Sequence, residues 1–172
     1  MNEVLKCLTA RRSVRKYSGV PVTDEQIQCI LQAGLLSASS KNRKPWEMIV
    51  VRDKDMLEKM SHCRVGSAKM LAGADCAILV LGDENKAEVW IEDTSIVMSN
   101  MHLMADALGL GSCWIQNRLR DAEDGTQSTE AYLRSLLGFP EHLHAEAILS
   151  VGCPEAKGAP TELDALPYNK VH

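Results

Sequence analysis

Apolar positions along the chain switch several times between a helical period and a strand-like run. From Asn2, Val4, Leu5 and Leu8 fall on one helical face, and the pattern stops near an arginine run. After Pro21, "TDEQIQCILQAGLLSA" sets Ile27, Ile30, Leu31, Gly34 and Leu35 at half-buried helical spacing, and Thr23 and Gln26 have capping-box spacing. "WEMIVVRD" reads as a strand and "KDMLEKMSHC" as a helix that Asp53 caps. Cys76 to Asp83, apolar almost throughout, reads as a strand covered on both faces. Trp90 to Leu108 is apolar around much of a helix, with Ile96, Met101, Leu103, Met104 and Leu108, so it lies centrally or against another subunit. A strand starts near Ser112. "STEAYLRSLLGFP" gives a helix closed by Gly138 and Pro140, and Ala145 to Pro154 a last strand. The tail beyond is too polar to assign.

Helices alternate with strands, but two helical stretches precede the first strand. That order predicts an α+β sandwich, helices packed on a mixed, mainly antiparallel sheet, over one domain of residues 1–172. A regular doubly wound order fits less well.

Composition keeps this picture. The chain has 172 residues, 45% hydrophobic and 24% charged, as an ordinary globular protein does. No run approaches the roughly 18 apolar residues of a membrane span, and the polar N-terminus lacks a signal peptide's apolar region, so a cytoplasmic protein is expected. Six cysteines are scattered without a CxxC pair, and five histidines are equally dispersed, so zinc spacing is absent. The cysteines read as small apolar residues in a reducing compartment, with Cys63, in the polar segment "SHCRVG", the one to test for thiol reactivity. The methionines read as core filler rather than ligands.

Charge changes the picture more. The formal net charge is -4, yet Lys6, Arg11, Arg12, Arg15, Lys16, Lys41, Arg43 and Lys44 make 8 of the 19 Lys and Arg residues. A solvated face is the plain reading of such runs. Nucleic acid calls for a broad positive surface with stacking aromatics, which a pI near 5.7 and 4% aromatics exclude. A small phosphate fits better: arginine forks, the Ser13 hydroxyl and backbone N–H groups could all donate to one. The glycines of "LGLGS" either end a helix or let a flat ligand lie against the backbone, and alone do not decide.

Four segments in order, "RRSVRKY", "SASSKNRKPWEMIVV", "WIEDTSIVMSNMHLMADALGLGSCWI" and "AILSVGCP", resemble the flavin-dependent nitroreductases. The resemblance implies an α+β sandwich that binds FMN without covalent attachment, takes hydride from NADH or NADPH and passes it to nitroaromatics, quinones or similar small acceptors. It also implies a homodimer with sites at the subunit interface. By the same resemblance Arg11 and Ser13 hold the FMN phosphate, Arg12 lies beside the ribityl chain, and Arg15 sits at the N1 and O2 edge of the ring. Ala38, Ser39, Ser40 and Asn42 match the loop laid against the ring by the other subunit. Trp114, Ile115, Gln116 and Asn117 match the stretch whose backbone faces N5. Flavin storage or sensing is the alternative function, and a flavin-free interaction module a third.

Departures are also visible. Ala38-Ser39 stands where relatives often have Pro-Ser, and Lys44-Pro45-Trp46 where they often have Gln-Pro-Trp. A late Lys/Arg phosphate pair is missing, with Lys157 the one nearby candidate. Only "GDENKAE" separates a strand from the long helix where larger relatives insert segments, so an open site is expected, limited by Trp46, Trp90 or Trp114.

Overall fold

The computed structural model describes residues 2–172. Its elements are α1 (Glu3–Ala10), α2 (Asp24–Leu35), β1 (Trp46–Val51), α3 (Lys54–Met60), β2 (Cys76–Asp83), α4 (Trp90–Ala107), β3 (Gly111–Gln116), α5 (Thr129–Leu137) and β4 (Leu143–Gly152). Local signals set most boundaries. Asn2 caps α1, Thr23 and Gln26 close a capping box on α2, Asp53 caps α3 and Ser128 caps α5. Gly138, at φ 71°, ends α5 in the left-handed region that favours glycine.

The sheet order is β1-β2-β4-β3, and each adjacent pair is antiparallel. The sheet is thus mainly antiparallel, as expected, and its parallel component is a single bridge between Ser13 and Ser112, outside the strands proper on one side. The helix after β1 ends at Met60, short of Cys63, and β4 starts at Leu143, two residues before the expected point.

Two cores flank the sheet and make three layers. On one face, Ile27 and Ile30 of α2 and Val97, Met98 and Met101 of α4 pack on Ile78, Val80 and Leu149. On the other, Leu57, Met60, Leu71, Leu133 and Phe139 pack on Leu79, Leu81 and Ile148. β2 is buried along its whole length, as its unbroken apolar sequence requires. Gly34 lets α2 approach α4, since a Cβ there would lie 3.0 Å from Met101 Cγ.

Cys63 belongs to the second core. It is fully buried, and burial pushes its thiol up to about 12, so it is not the reactive thiolate its polar sequence neighbours suggested. The apolar face of α1 takes no part in either core: Val4 and Leu8 are 64% and 50% exposed. Val4, with Leu36, Leu103 and Met104, lines a shallow apolar groove of about 270 Å³ between α1, α2 and α4.

Candidate functional site

The arginine run leaves α1 and lies along the outer edge of β3. Val14 N–H donates to Ser112 O at 2.9 Å, beside the Ser13–Ser112 bridge. Two glycines make this close approach possible. A Cβ on Gly111 would lie 2.7 Å from Val14 Cγ1, and one on Gly152 2.7 Å from Tyr17 Cδ1. Tyr17 closes the segment by donating to Val14 O and pairing with Ser150 Oγ at 2.8 Å.

Each arginine has a different task. Arg11 is half-buried and donates to His102 Nε2 at 2.9 Å. Arg12 gives all four terminal N–H bonds to protein: to Thr9 O and Arg11 O, and across to Ala159 O and Thr161 Oγ1 of the tail. It is a tether for residues 159–161, with only Nε–H left for a ligand. Arg15 is exposed, and its guanidinium makes one long contact, 3.5 Å to Ser13 O. Ser13 and Arg15 line a cleft of about 230 Å³ that Glu155, Ala156 and Gly158 close on the other side. Lys157 turns away to Asp106 Oδ1 at 3.0 Å.

The edge of β3 continues this site. Asn117 N–H donates to Glu146 O at 3.0 Å, so by antiparallel alternation Cys113 and Ile115 also aim their N–H groups at β4. The N–H groups of Trp114 and Gln116 therefore face outward, on the side where Ser112 already receives Val14. Four residues of strand separate Ser112 from Gln116, roughly 13 Å. One edge thus offers cations at one end and outward N–H groups at the other, an arrangement fitted to a long ligand with an anionic tail and a polar flat head.

Side chains brace the strand from behind. Trp114 Nε1 donates to Gln116 Oε1 at 2.8 Å, and Gln116 Nε2 reaches Glu146 Oε1 at 3.2 Å. Ile115 is buried in the second core. Asn117 is 1% exposed with both amide atoms unpartnered among the described residues. It borders a cavity of about 310 Å³ at the end of β3, beside Trp90, which stacks on His144 with ring centroids 5.4 Å apart.

Ala38, Ser39, Ser40 and Asn42 lie elsewhere. Their loop is anchored to the first turn of α4, where Asp93 Oδ1 accepts Ser40 N–H at 2.9 Å, while Arg11 is anchored at His102. Nine helical residues put roughly 13 Å along the axis between those anchors. None of the four loop residues lines the cleft at Arg15. Trp46 is also remote, on the opposite edge strand and in the first core. Trp114 lies on β3 itself, whereas Trp90 packs over Gly82 of β2, where a Cβ would collide with its ring, and over His144 of β4. The link from β2 to α4, residues 84–89, is a turn with Ala87 tucked in.

Sequence reasoning missed His102, Asp93 and Glu146, which orient the named residues from outside the quoted basic and glycine patterns, and gave Ser112, the end of the glycine pattern "LGLGS", no role beyond the start of a strand. Two carried a usable signal: a histidine and an aspartate on a helix otherwise judged apolar around its circumference.

Comparisons with known proteins bear on the family and the fold. The profile of the Nitroreductase family matches residues 8–63 and 56–153. The chain belongs to the nitroreductase family. A relative from Archaeoglobus fulgidus, provisionally named NADH dehydrogenase/NAD(P)H nitroreductase, is 38% identical over 159 residues, 90% of this chain and 87% of that one. An FMN-dependent nitroreductase of solved structure from Clostridium difficile R20291 is 42% identical, with a TM-score of 0.93 over 98% of this chain and 97% of the other. A more distant member, the FMN reductase of Bacillus subtilis, is 27% identical over 92% of this chain and 69% of its own length. The α+β sandwich is therefore the nitroreductase fold. Among the described residues no helix is long and apolar enough to cross a membrane.

Proposed function

We propose that this nitroreductase-family chain is an FMN-dependent NAD(P)H oxidoreductase that reduces electron-poor small molecules such as nitroaromatics or quinones. One observation carries the reading: the Arg11–Arg15 segment is stitched to the open edge of β3, so cations and outward N–H groups share one line. In this reading Arg11 and Ser13 take the phosphate, and Arg12, already spent on the tail, offers Nε–H at most beside the ribityl chain. Arg15, unpaired and exposed, lies where a fixed cation stabilises negative charge on the pyrimidine edge of a reduced ring. Gln116 and Trp114 present N–H groups toward N5. FMN, when bound, supplies the hydride-accepting N5 that the protein itself has no group to replace.

The site is completed by a second copy. Ala38, Ser39, Ser40 and Asn42 are held about a helix half-length from the arginines of their own chain, so they serve the partner's ring across a homodimer interface. The apolar groove lined by Val4, Leu36, Leu103 and Met104, with Val4 and Leu36 exposed, supports that assembly, because isolated monomers rarely leave such a patch uncovered. Lys157 is paired with Asp106 and so adds little attraction for the anion. All six cysteines are unpaired, in keeping with a reducing, cytoplasmic setting. The short 84–89 link leaves the acceptor face open, favouring broad tolerance over selection of one acceptor.

The test is anaerobic addition of NADH or NADPH to flavin-loaded protein. Rapid bleaching of the flavin absorption, reversed by a nitroaromatic or quinone, is expected. Slow bleaching with tight flavin retention would instead indicate storage or sensing, and a protein that takes up no flavin would overturn the reading.

A further inference from the structure

We propose that His102 is the positioning residue of the anion site, holding the Arg11 guanidinium in the plane in which it meets the phosphate. The inference rests on the FMN reading above and assigns a role to a side chain that itself touches no ligand. His102 is 7% exposed on α4, and both ring nitrogens are engaged. Arginine has donors only, so Nε2, 2.9 Å from Arg11 Nη1, must present its lone pair. The ring proton is thereby placed on Nδ1, where it donates to Ser112 Oγ at 2.5 Å. Ser112 is the β3 residue bridged to Ser13. The imidazole therefore locks the arginine to the same strand that carries the outward N–H groups.

The physical gain is preorganisation. A free arginine side chain loses much rotamer freedom on gripping an anion, whereas one already fixed by a buried acceptor does not. Among the described residues only one of its five N–H groups is used, so the other four are left available for an anion. Desolvation and the neighbouring Arg11 charge keep His102 in its neutral form, the form that can accept. One turn further along α4, Asp106 holds Lys157 in the same way, at 3.0 Å. The last two turns of α4 thus fix Arg11 for the site and hold Lys157 away from the cleft.

The experiment is titration of apoprotein with FMN and with riboflavin, read by flavin fluorescence, for wild type, Arg11→Ala, His102→Gln, His102→Phe and the double variant Arg11→Ala with His102→Phe. Riboflavin lacks the phosphate and serves as internal control. His102→Phe should weaken FMN about tenfold and riboflavin by less than about twofold. His102→Gln, whose Oε1 can accept from Arg11, should recover most of the loss. Adding His102→Phe to Arg11→Ala should change nothing further. Equal FMN affinity in wild type and His102→Phe would overturn the proposal, as would equal losses for both flavins or additive effects in the double variant. Should His102→Phe not fold, Ser112→Ala, which frees Nδ1–H but keeps the ring, carries the same contrast: FMN weakened and riboflavin not supports the role, and no difference overturns it. Wild type that binds neither flavin would overturn the cofactor reading and the proposal with it.

Discussion

The carboxylate of Asp93 accepts the backbone N–H of Ser40 at 2.9 Å, while its other oxygen, Oδ2, is buried without a partner among the described residues. This bond pins a loop in which Lys41, Asn42 and Lys44 stand at φ 52°, 55° and 47°. Left-handed backbone costs non-glycine residues about 1–3 kcal/mol each, so the loop keeps its shape only when held from outside. Asp93→Ala removes a charge-assisted bond of about 1.5–3 kcal/mol but also a half-paired buried carboxylate, so the two effects offset in global stability. Faster amide hydrogen exchange at residues 40–44 is expected, with a melting temperature close to wild type. Unchanged exchange would show that the loop is held by something else.

The two glycines beneath the arginine segment give a second prediction. Gly152 has no room for a side chain against Tyr17, so Gly152→Ala forces the ring, and the Val14 and Ser150 contacts it makes, off the sheet. Overpacking of this kind costs about 1–3 kcal/mol. Denaturant melts should show that loss, and flavin affinity should fall with it because Tyr17 fixes the end of the Arg15 segment. A variant with the wild-type midpoint would refute the close-approach argument.

Glu146 gives a pH signature. It is the extra residue where the β2–β4 register slips, between Ala147 paired with Val80 and Ala145 paired with Leu81. Burial raises its carboxyl above the usual range, only partly countered by Gln116, and Oε2 has no partner among the described residues. A raised value means the folded chain holds this proton more tightly than the unfolded one. Its contribution is fully present below the ordinary carboxyl range and is lost as pH rises through the raised value. Glu146→Gln should therefore melt like wild type in mild acid and gain on it as pH climbs toward neutrality. A melting difference constant with pH would contradict the assignment.

Much of the fold was legible because apolar periodicity and caps are local: Thr23 with Gln26, Asp53 and the unbroken 76–83 strand all appear as expected. The mainly antiparallel sheet was expected as well, and all three strand pairs are antiparallel; the pairing order β1-β2-β4-β3 was not legible, since a hydrophobic run does not name its neighbour. In the site, the charged and hydroxyl groups of Arg11, Ser13 and Arg15 could be named from chemistry and resemblance. The groups that aim them could not, because His102 meets Arg11 from 91 positions away and Arg12 meets Thr161 from 149. Cys63 misled for the reverse reason: polar sequence neighbours, but Leu57, Met60 and Leu71 in its own core.

The central claim is that one chain's arginines and β3 edge and another chain's 38–42 loop make a single flavin site. If so, flavin binding and dimerisation are linked by mass action, and affinity depends on protomer concentration. The direct measurement is sedimentation velocity of the flavin-loaded protein over a dilution series, followed at the flavin absorption and the protein absorption together. The account predicts one flavin per chain in a dimer, and release of flavin in step with the appearance of monomer. A sedimenting monomer that keeps its full complement of flavin would contradict it.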